Sequence, residues 1–369
     1  MSTLSLRIAA TVILLWGISA SAQNANNPIE DALLRWYQAN TAAQFTNVLS
    51  SASPPCTTPA GLAFDGAHMW VACFGSNSLL ELNVSDGSPG PVRSVPLASP
   101  SFLLYDGKNI WATNKVAGTI TPVNASTGAV GTSLTVNTMG TTPAGMTFDG
   151  QNIWVALSGT SSQQIAKVNV TTGTVTWITL TYTPPITPCV NPAGIVYYAP
   201  DPGVPIANNL SQSLWVVCNA IPNQVAELNL SGQVLAATRQ NMIGSCVCNN
   251  IAFDGRYVWT ATPSVGMPAI VALQQVDTTT NPPTVTNTRL PDGTSPYAVA
   301  FDGIYVWVID GSNSNVFKVL PSTTSGQSGT KYGPFTNPGG ASSFLGFDGG
   351  NMWVSTADSS NGTYSLQKM

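Results

Sequence analysis

The feature that most constrains this chain is a block of the form aromatic-Asp-Gly-x-x-aliphatic-Trp that recurs along most of its length. Six copies are clear, and a degenerate seventh copy lies around Tyr197 and Trp215. The interval between copies is close to the roughly 40–50 residues of one four-stranded blade in a radial repeat. The tryptophans of the seven copies are Trp70, Trp111, Trp154, Trp215, Trp259, Trp307 and Trp353.

The turn chemistry inside the repeat indicates strands rather than helices. In the first copy, short apolar runs flank Asp65-Gly66, where the carboxylate accepts backbone N–H groups and the glycine takes a positive φ. We therefore interpret the repeated aspartates as turn caps rather than as a ring of ligands. The chain is predicted to be all-β, a seven-bladed β-propeller of four-stranded antiparallel blades.

A second repeated turn follows each tryptophan and closes the outer pair of strands. It begins with an asparagine in an Asn-x-Ser/Thr match, which is also the acceptor pattern for glycosylation. Because the matches share one repeat position, turn chemistry is the favoured explanation. These asparagines are Asn83, Asn124, Asn169 and Asn229.

The N-terminus predicts a leader and a short helix before the ring. Residues 1–22 combine one cation, an apolar stretch and an Ala-Ser-Ala site, the three parts of a secretory signal peptide. The apolar stretch is shorter than the ~20 residues that a bilayer requires. We expect residues 23–43 to form a helical segment, with Pro28 at the first helical position, and the propeller to span residues 44–369.

The two ends of the ring are predicted to meet. The last repeat has no fourth strand after residues 363–368, whereas a spare β-like segment at residues 44–50 precedes the first blade. We expect this N-terminal strand to complete the last blade, because the pairing removes two open sheet edges.

The composition limits which classes of partner and which cellular compartment we expect for this chain. Only 8% of residues are charged, against about 25% for an ordinary soluble chain, so small polar residues must cover the surface. The net charge of −4, with 12 Lys plus Arg and no basic run, excludes nucleic acid and anionic lipid as expected partners. We expect a secreted monomer, extracellular or periplasmic, without a membrane span.

Four of the six cysteines lie at matching repeat positions. Cys56 and Cys189 precede the first strand of their blades, while Cys73 and Cys218 follow the tryptophan of the same blades. In a meander these two positions lie at the same end of the blade, so we predict the disulfides Cys56–Cys73 and Cys189–Cys218.

The other two cysteines, Cys246 and Cys248, leave alternatives open. We expect them either to be bridged to each other or to exchange with Cys218. A metal cluster is disfavoured, because the chain has one histidine and Cys-x-Cys is not zinc spacing.

The consensus Pro-Ala-Gly-aliphatic-x-Phe-Asp-Gly-x-x-aliphatic-Trp-Val-Ala resembles the secreted seven-bladed propellers of the streptogramin lyase (virginiamycin B lyase) and NHL-like group. The resemblance covers residues 55–369. It implies a propeller whose lyase members open a cyclic depsipeptide by metal-assisted elimination, with histidines and a glutamate at the ring's centre. His68 is the only histidine here, so no catalytic residue is carried over.

Loops at one mouth of the ring differ between blades and form the candidate binding surface. They offer an apolar anchor, amide groups, a cation and two carboxylates on adjacent blades. The candidate ligand-binding residues are Phe74, Asn114, Lys115, Asn219, Asp310 and Asp358.

These residues suggest two functions. The first is a binding scaffold, without catalysis or cofactor, that recognises an extracellular protein, glycan or surface. The alternative is a metal-assisted lyase or lactonase-type enzyme at the central channel, with Asp310, Asp358 and Lys115 around Ca²⁺ or Mg²⁺. His68 lies on the opposite, turn side of the ring, where we expect no second base beside it and therefore a structural role.

Overall fold

The computed structural model describes most of the propeller region. The signal peptide, the helical segment and the Cys246–Cys248 pair lie outside the described residues. The described residues are 45–50, 56–184, 186, 188–199, 212–219, 224–239, 251–262, 272–280, 282–291, 296–311, 315–322, 327–336, 342–358 and 363–369.

The described residues form seven sheets, each of four antiparallel strands, which confirms the predicted fold class. Each sheet is one blade, with strands A to D running outward from the centre. The A strands are β2 (Pro59–Phe64), β6 (Pro100–Tyr105), β10 (Thr142–Phe148), β14 (Pro192–Tyr198), β18 (Ile251–Phe253), β22 (Pro296–Phe301) and β26 (Ser342–Phe347). The B strands are β3 (His68–Cys73), β7 (Asn109–Asn114), β11 (Asn152–Ser158), β15 (Ser213–Cys218), β19 (Tyr257–Thr262), β23 (Val306–Asp310) and β27 (Met352–Asp358).

The two outer strands of each blade continue the meander. The C strands are β4 (Ser78–Asn83), β8 (Thr119–Asn124), β12 (Gln164–Asn169), β16 (Gln224–Leu228), β20 (Ala272–Asp277), β24 (Asn315–Leu320) and β28 (Thr363–Lys368). The D strands are β5 (Pro89–Pro96), β9 (Leu134–Thr135), β13 (Val175–Thr179), β17 (Val234–Arg239), β21 (Thr284–Arg289), β25 (Thr330–Thr336) and β1 (Thr46–Ser50). Loops between B and C, and between D and the next A, form the loop face; the A–B and C–D turns form the turn face.

The ring closes through the N-terminal strand, as predicted. Each A strand contacts the A strands of the neighbouring blades, and β2 contacts β26. Strand β1 pairs antiparallel with β28 and completes blade 7. Lys368 Nζ also donates to the backbone oxygens of Val84 and Ser85 in blade 1, at 2.8 and 2.9 Å. The N-terminal strand is therefore paired into blade 7, and Lys368 links blade 7 to blade 1 by polar contacts.

The core consists of layers between consecutive blades. Each repeat tryptophan is buried in the layer shared with the next blade. Trp154 of blade 3 packs with Ile195 and Leu214 of blade 4, and Trp353 of blade 7 packs with Leu62 and Met69 of blade 1. The tryptophans are thus the wedges that hold neighbouring sheets together.

The repeated aspartate caps its turn, as predicted, and also holds the tryptophan. In blade 3, Asp149 Oδ1 accepts the backbone N–H groups of Gln151 and Asn152, while Oδ2 accepts the indole N–H of Trp154. The indole-to-carboxylate distance is 2.6–2.8 Å in all six Asp-Gly blades. One side chain therefore fixes both the turn and the wedge.

Blade 4 lacks this arrangement. Its register places Tyr198 where the other blades carry aspartate. Within the described residues, Trp215 Nε1 has no hydrogen-bond acceptor. The degenerate repeat thus keeps the wedge without the aspartate that accepts the indole N–H in the other blades.

The predicted disulfides Cys56–Cys73 and Cys189–Cys218 are both present. Each links the entry of strand A to the end of strand B in its blade, as the repeat positions indicated. Three of the four asparagine turns, those of Asn124, Asn169 and Asn229, have the side-chain oxygen accepting backbone N–H groups, whereas Asn83 donates through Nδ2 to Ser88 Oγ. Asn169 Oδ1, for example, accepts the backbone N–H groups of Thr171 and Thr172.

Candidate functional site

The candidate residues of the loop face differ in exposure. Lys115 is exposed at a loop tip, and Phe74 is half-buried against the core layer between blades 1 and 2. Asp310 ends β23 and is only 1% exposed. Asp358 ends β27, but its side chain lies outside the described residues. The convergence of Asp310 and Asp358 on one cation stays a prediction.

The two candidate amides lie where strand B ends in blades 2 and 4, and both are buried. Asn114 Nδ2 donates to the hydroxyls of Thr119 and Thr121, at 2.8 and 2.7 Å. In the described part of the chain, Asn114 Oδ1 and Asn219 Oδ1 have no donor. Each amide oxygen can therefore accept a hydrogen bond from a ligand, whereas the NH₂ group of Asn114 already donates within the protein.

The loop face also exposes apolar side chains at the junction of blades 2 and 3. Val116 lies in the B–C loop of blade 2 and is 78% exposed; Met139, in the connection to blade 3, is fully exposed. Both loops meet at Gly118, whose backbone oxygen accepts the N–H groups of Val136 and Asn137. A side chain at Gly118 would collide with Asn137, since its Cβ would lie 2.2 Å from that amide.

The turn face carries a cleft of about 530 Å³ between blades 1 and 2. It is lined by turns of both blades, with an imidazole, a buried carboxylate, a phenol and an amine. The principal polar residues are Asp65, His68, Glu81, Tyr105, Lys108 and Asn124.

Asp65, His68 and Glu81 converge at this cleft. His68 Nδ1 lies 3.3 Å from Glu81 Oε1 and 3.6 Å from Asp65 Oδ2. The Glu81 side chain is 1% exposed, and His68 is partly exposed. The expectation that His68 has no second base beside it is wrong, because strand pairing places β4 alongside β3 and brings Glu81 to the imidazole.

A departure from the repeat creates this cluster. Blades 2, 3 and 7 carry asparagine at the position of His68, and its amide donates to the repeat aspartate at 3.0–3.2 Å. Blades 3, 6 and 7 carry lysine where blade 1 has Glu81, opposite the tryptophan in register. These lysines lie over the tryptophan ring, at 5.0–5.6 Å from its centroid. Aligning the blades would have revealed both substitutions, but not that they meet.

Burial and nearby carboxylates both act on the phenol of the cleft. Burial, followed by the charges of Asp65 and Asp106, raises the pKa of the Tyr105 hydroxyl above its usual value of 10.0. The phenol is therefore a neutral donor at physiological pH.

Two observations bear on the compartment. The two disulfides are typical of proteins that fold in an oxidising environment. Among the described residues, no helix combines the length and apolar character that a membrane crossing requires.

Comparison of the sequence with family models and with curated proteins finds no match. Solved propellers are nevertheless similar in structure. A streptogramin B lyase has 15% identity and a TM-score of 0.61, with 88% of this chain and 97% of that chain covered. A catalytically inactive virginiamycin B lyase from Staphylococcus aureus with quinupristin has 17% identity and a TM-score of 0.61, covering 88% and 99%.

A propeller of a different kind matches equally well. The WD40 repeats of RRP9 have 12% identity and a TM-score of 0.64, with 90% of this chain and 98% of that chain covered. Since these identities are low, the similarity shows the fold alone, shared by a lyase and by WD40 repeats. The chain is a seven-bladed β-propeller, and its function has to be argued from its own residues.

Proposed function

We propose that this chain is a secreted binding scaffold that docks an extracellular protein on its loop face, at the junction of blades 2 and 3. The observation that carries the proposal is the pair of exposed apolar side chains, Val116 and Met139, on two loops that meet at Gly118. Lys115 adds a cation beside Val116. The predicted leader and the two disulfides support secretion.

The loops that present this patch are held by internal hydrogen bonds. Thr138 Oγ1 donates to Gln164 Oε1 of blade 3 at 2.6 Å, and the Thr138 backbone N–H donates to Thr141 Oγ1 at 2.8 Å. A patch that is already ordered loses little conformational entropy when a partner docks. Such loops on a rigid scaffold are the usual location of recognition.

The chemistry of the patch favours a protein over a glycan. Methionine and valine bury area against apolar side chains, and methionine adapts to irregular surfaces. A sugar instead requires dense hydrogen-bonding groups, whereas the two outermost residues of this patch have no polar side-chain atoms capable of strong hydrogen bonds.

The test uses the mature chain as bait for proteins of the producing cell's surface and culture medium, measured by quantitative mass spectrometry. The variant Val116→Asp/Met139→Asp should lose the captured partner. Leu320→Asp is the matched control, because Leu320 is a partly exposed aliphatic residue at the end of β24 on the turn face.

The outcomes separate the alternatives. A partner captured by wild type and Leu320→Asp but not by the double variant supports the proposal. Equal capture by all three baits would contradict it. Opening of a cyclic depsipeptide or a lactone by the purified chain would favour the lyase or lactonase alternative instead.

A further inference from the structure

We propose that Asp65, His68 and Glu81 form a binding site for Zn²⁺ in the cleft between blades 1 and 2. This site lies on the turn face, and the proposal does not depend on the binding function proposed for the loop face. It also differs from the cation site predicted at Asp310 and Asp358.

The spacing of the three ligand atoms fits a tetrahedral ion. One ligand atom from each of Asp65, His68 and Glu81 lies within 4.8 Å of the other two. Zinc bonds of about 2.1 Å to nitrogen and oxygen give a tetrahedron with edges of about 3.4 Å. The separations from Nδ1, 3.3 Å to Glu81 and 3.6 Å to Asp65, match such edges.

Hydrogen bonds behind the ligands hold both carboxylates in place. Asp65 Oδ2 accepts the indole N–H of Trp70 at 2.8 Å and retains a second lone pair for an ion. Glu81 Oε2 accepts the backbone N–H of Val92 at 2.5 Å, which leaves Oε1 directed to His68. Outer hydrogen bonds of this kind orient the ligands of metal sites.

The charge of the cluster also favours a divalent cation. Two carboxylates share one imidazole, and His68 is the only side chain within ion-pair distance of Glu81 in the described part of the chain. Blades 3, 6 and 7 instead have lysine at the Glu81 position, and in blade 6 the charge of Lys318 acts on the repeat aspartate, Asp302. Burying a carboxylate without a counter-charge is unfavourable, and Zn²⁺ would neutralise both groups.

The donor set selects the kind of ion and leaves one position open. One imidazole nitrogen with two carboxylate oxygens suits zinc better than Ca²⁺ or Mg²⁺, which take oxygen ligands. The three ligands leave a fourth position toward the cleft, where Tyr105 and Lys108 lie. A water or an anionic ligand group would complete the coordination there.

The experiment titrates the untagged mature chain, after treatment with a chelator, with Zn²⁺ by calorimetry, and with Co²⁺ by visible absorption. We expect one ion per chain and the absorption of tetrahedral Co²⁺. His68→Asn and Glu81→Gln should each lower the affinity by at least about 100-fold, because loss of an outer hydrogen bond alone typically costs 10–100-fold.

The variants are chosen to keep the fold. Asparagine is the residue of blades 2, 3 and 7 at the position of His68, and the amide introduced by Glu81→Gln retains an oxygen for the Val92 N–H. Glu227→Gln is the control, since Glu227 takes the same place opposite the tryptophan in blade 4. It should bind Zn²⁺ as wild type does. Absence of binding to the wild-type chain, or equal binding by every variant, would overturn the proposal.

Discussion

Replacing Asp149 by asparagine separates the two tasks of the repeat aspartate. One amide oxygen can still accept the backbone N–H groups of the turn, as Asp149 Oδ1 does. The amide NH₂ then faces the indole N–H of Trp154, which Asp149 Oδ2 accepts at 2.8 Å in the native protein. Two donors would therefore oppose each other in a buried layer.

The expected loss follows from the burial of Trp154, which is 0% exposed. A hydrogen bond to a charged group contributes about 1.5–3 kcal/mol, and an unsatisfied buried donor costs about 1–3 kcal/mol. We expect Asp149→Asn to lower the free energy of unfolding by about 2–3 kcal/mol. Asp86→Asn is the control, because Asp86 caps an exposed turn through Ser88 and should change stability much less.

The assay is urea unfolding followed by far-UV circular dichroism, in a double-mutant cycle with Trp154→Phe. If the hydrogen bond between Asp149 and Trp154 stabilises the fold, the losses of unfolding free energy caused by Asp149→Asn and Trp154→Phe are strongly non-additive, because either substitution removes this bond. A coupling energy below about 0.5 kcal/mol, within the usual error of additivity, would refute the reasoning and assign the aspartate to the turn alone.

Three further predictions concern pH, closure and the disulfides. Burial raises the pKa of Asp302 above its usual 3.8, so this carboxyl favours folding below pH 3.8 and loses that contribution as the pH rises through the raised value. In urea titrations, the free energy of unfolding of the wild type, relative to that of Asp302→Asn, should therefore decrease as the pH rises from 3.8 through the raised pKa. An increase would contradict this prediction. Deleting residues 44–50 exposes β28 and should lower the melting temperature and cooperativity in calorimetry, whereas unchanged melting would count against closure by β1. Cys56→Ser/Cys73→Ser should destabilise the oxidised protein by about 2–4 kcal/mol but not the reduced one, and equal free-thiol counts with and without reductant would disprove the bridges.

Several features were accessible from the sequence because they repeat. The Asp-Gly turns and tryptophans recur at blade spacing, so local turn chemistry and periodicity together predicted seven sheets. The pairs Cys56–Cys73 and Cys189–Cys218 followed from matching positions in two blades. The missing fourth strand of the last blade predicted the role of β1.

Other features depend on which strands lie side by side. The bond from Asp149 to Trp154 requires the exact orientation of an indole across a hairpin, which spacing does not reveal. Asn114 and Asp310 were read as loop groups, yet both are buried, because the B strands extend to include them. Exposure is a property of the packed ring rather than of the local sequence.

The amino-acid sequence by itself determined the number of blades, the turn chemistry and the two disulfides, because each is encoded in short-range patterns that recur. It also determined the strand that closes the ring, because one repeat lacks its fourth strand. Only the tertiary structure decided which side chains meet across strands. His68 and Glu81 are separated in sequence but adjacent in space, since β3 pairs with β4 in one register. The cluster with Asp65 therefore depends on strand pairing, whereas the fold that contains it depends on the repeat.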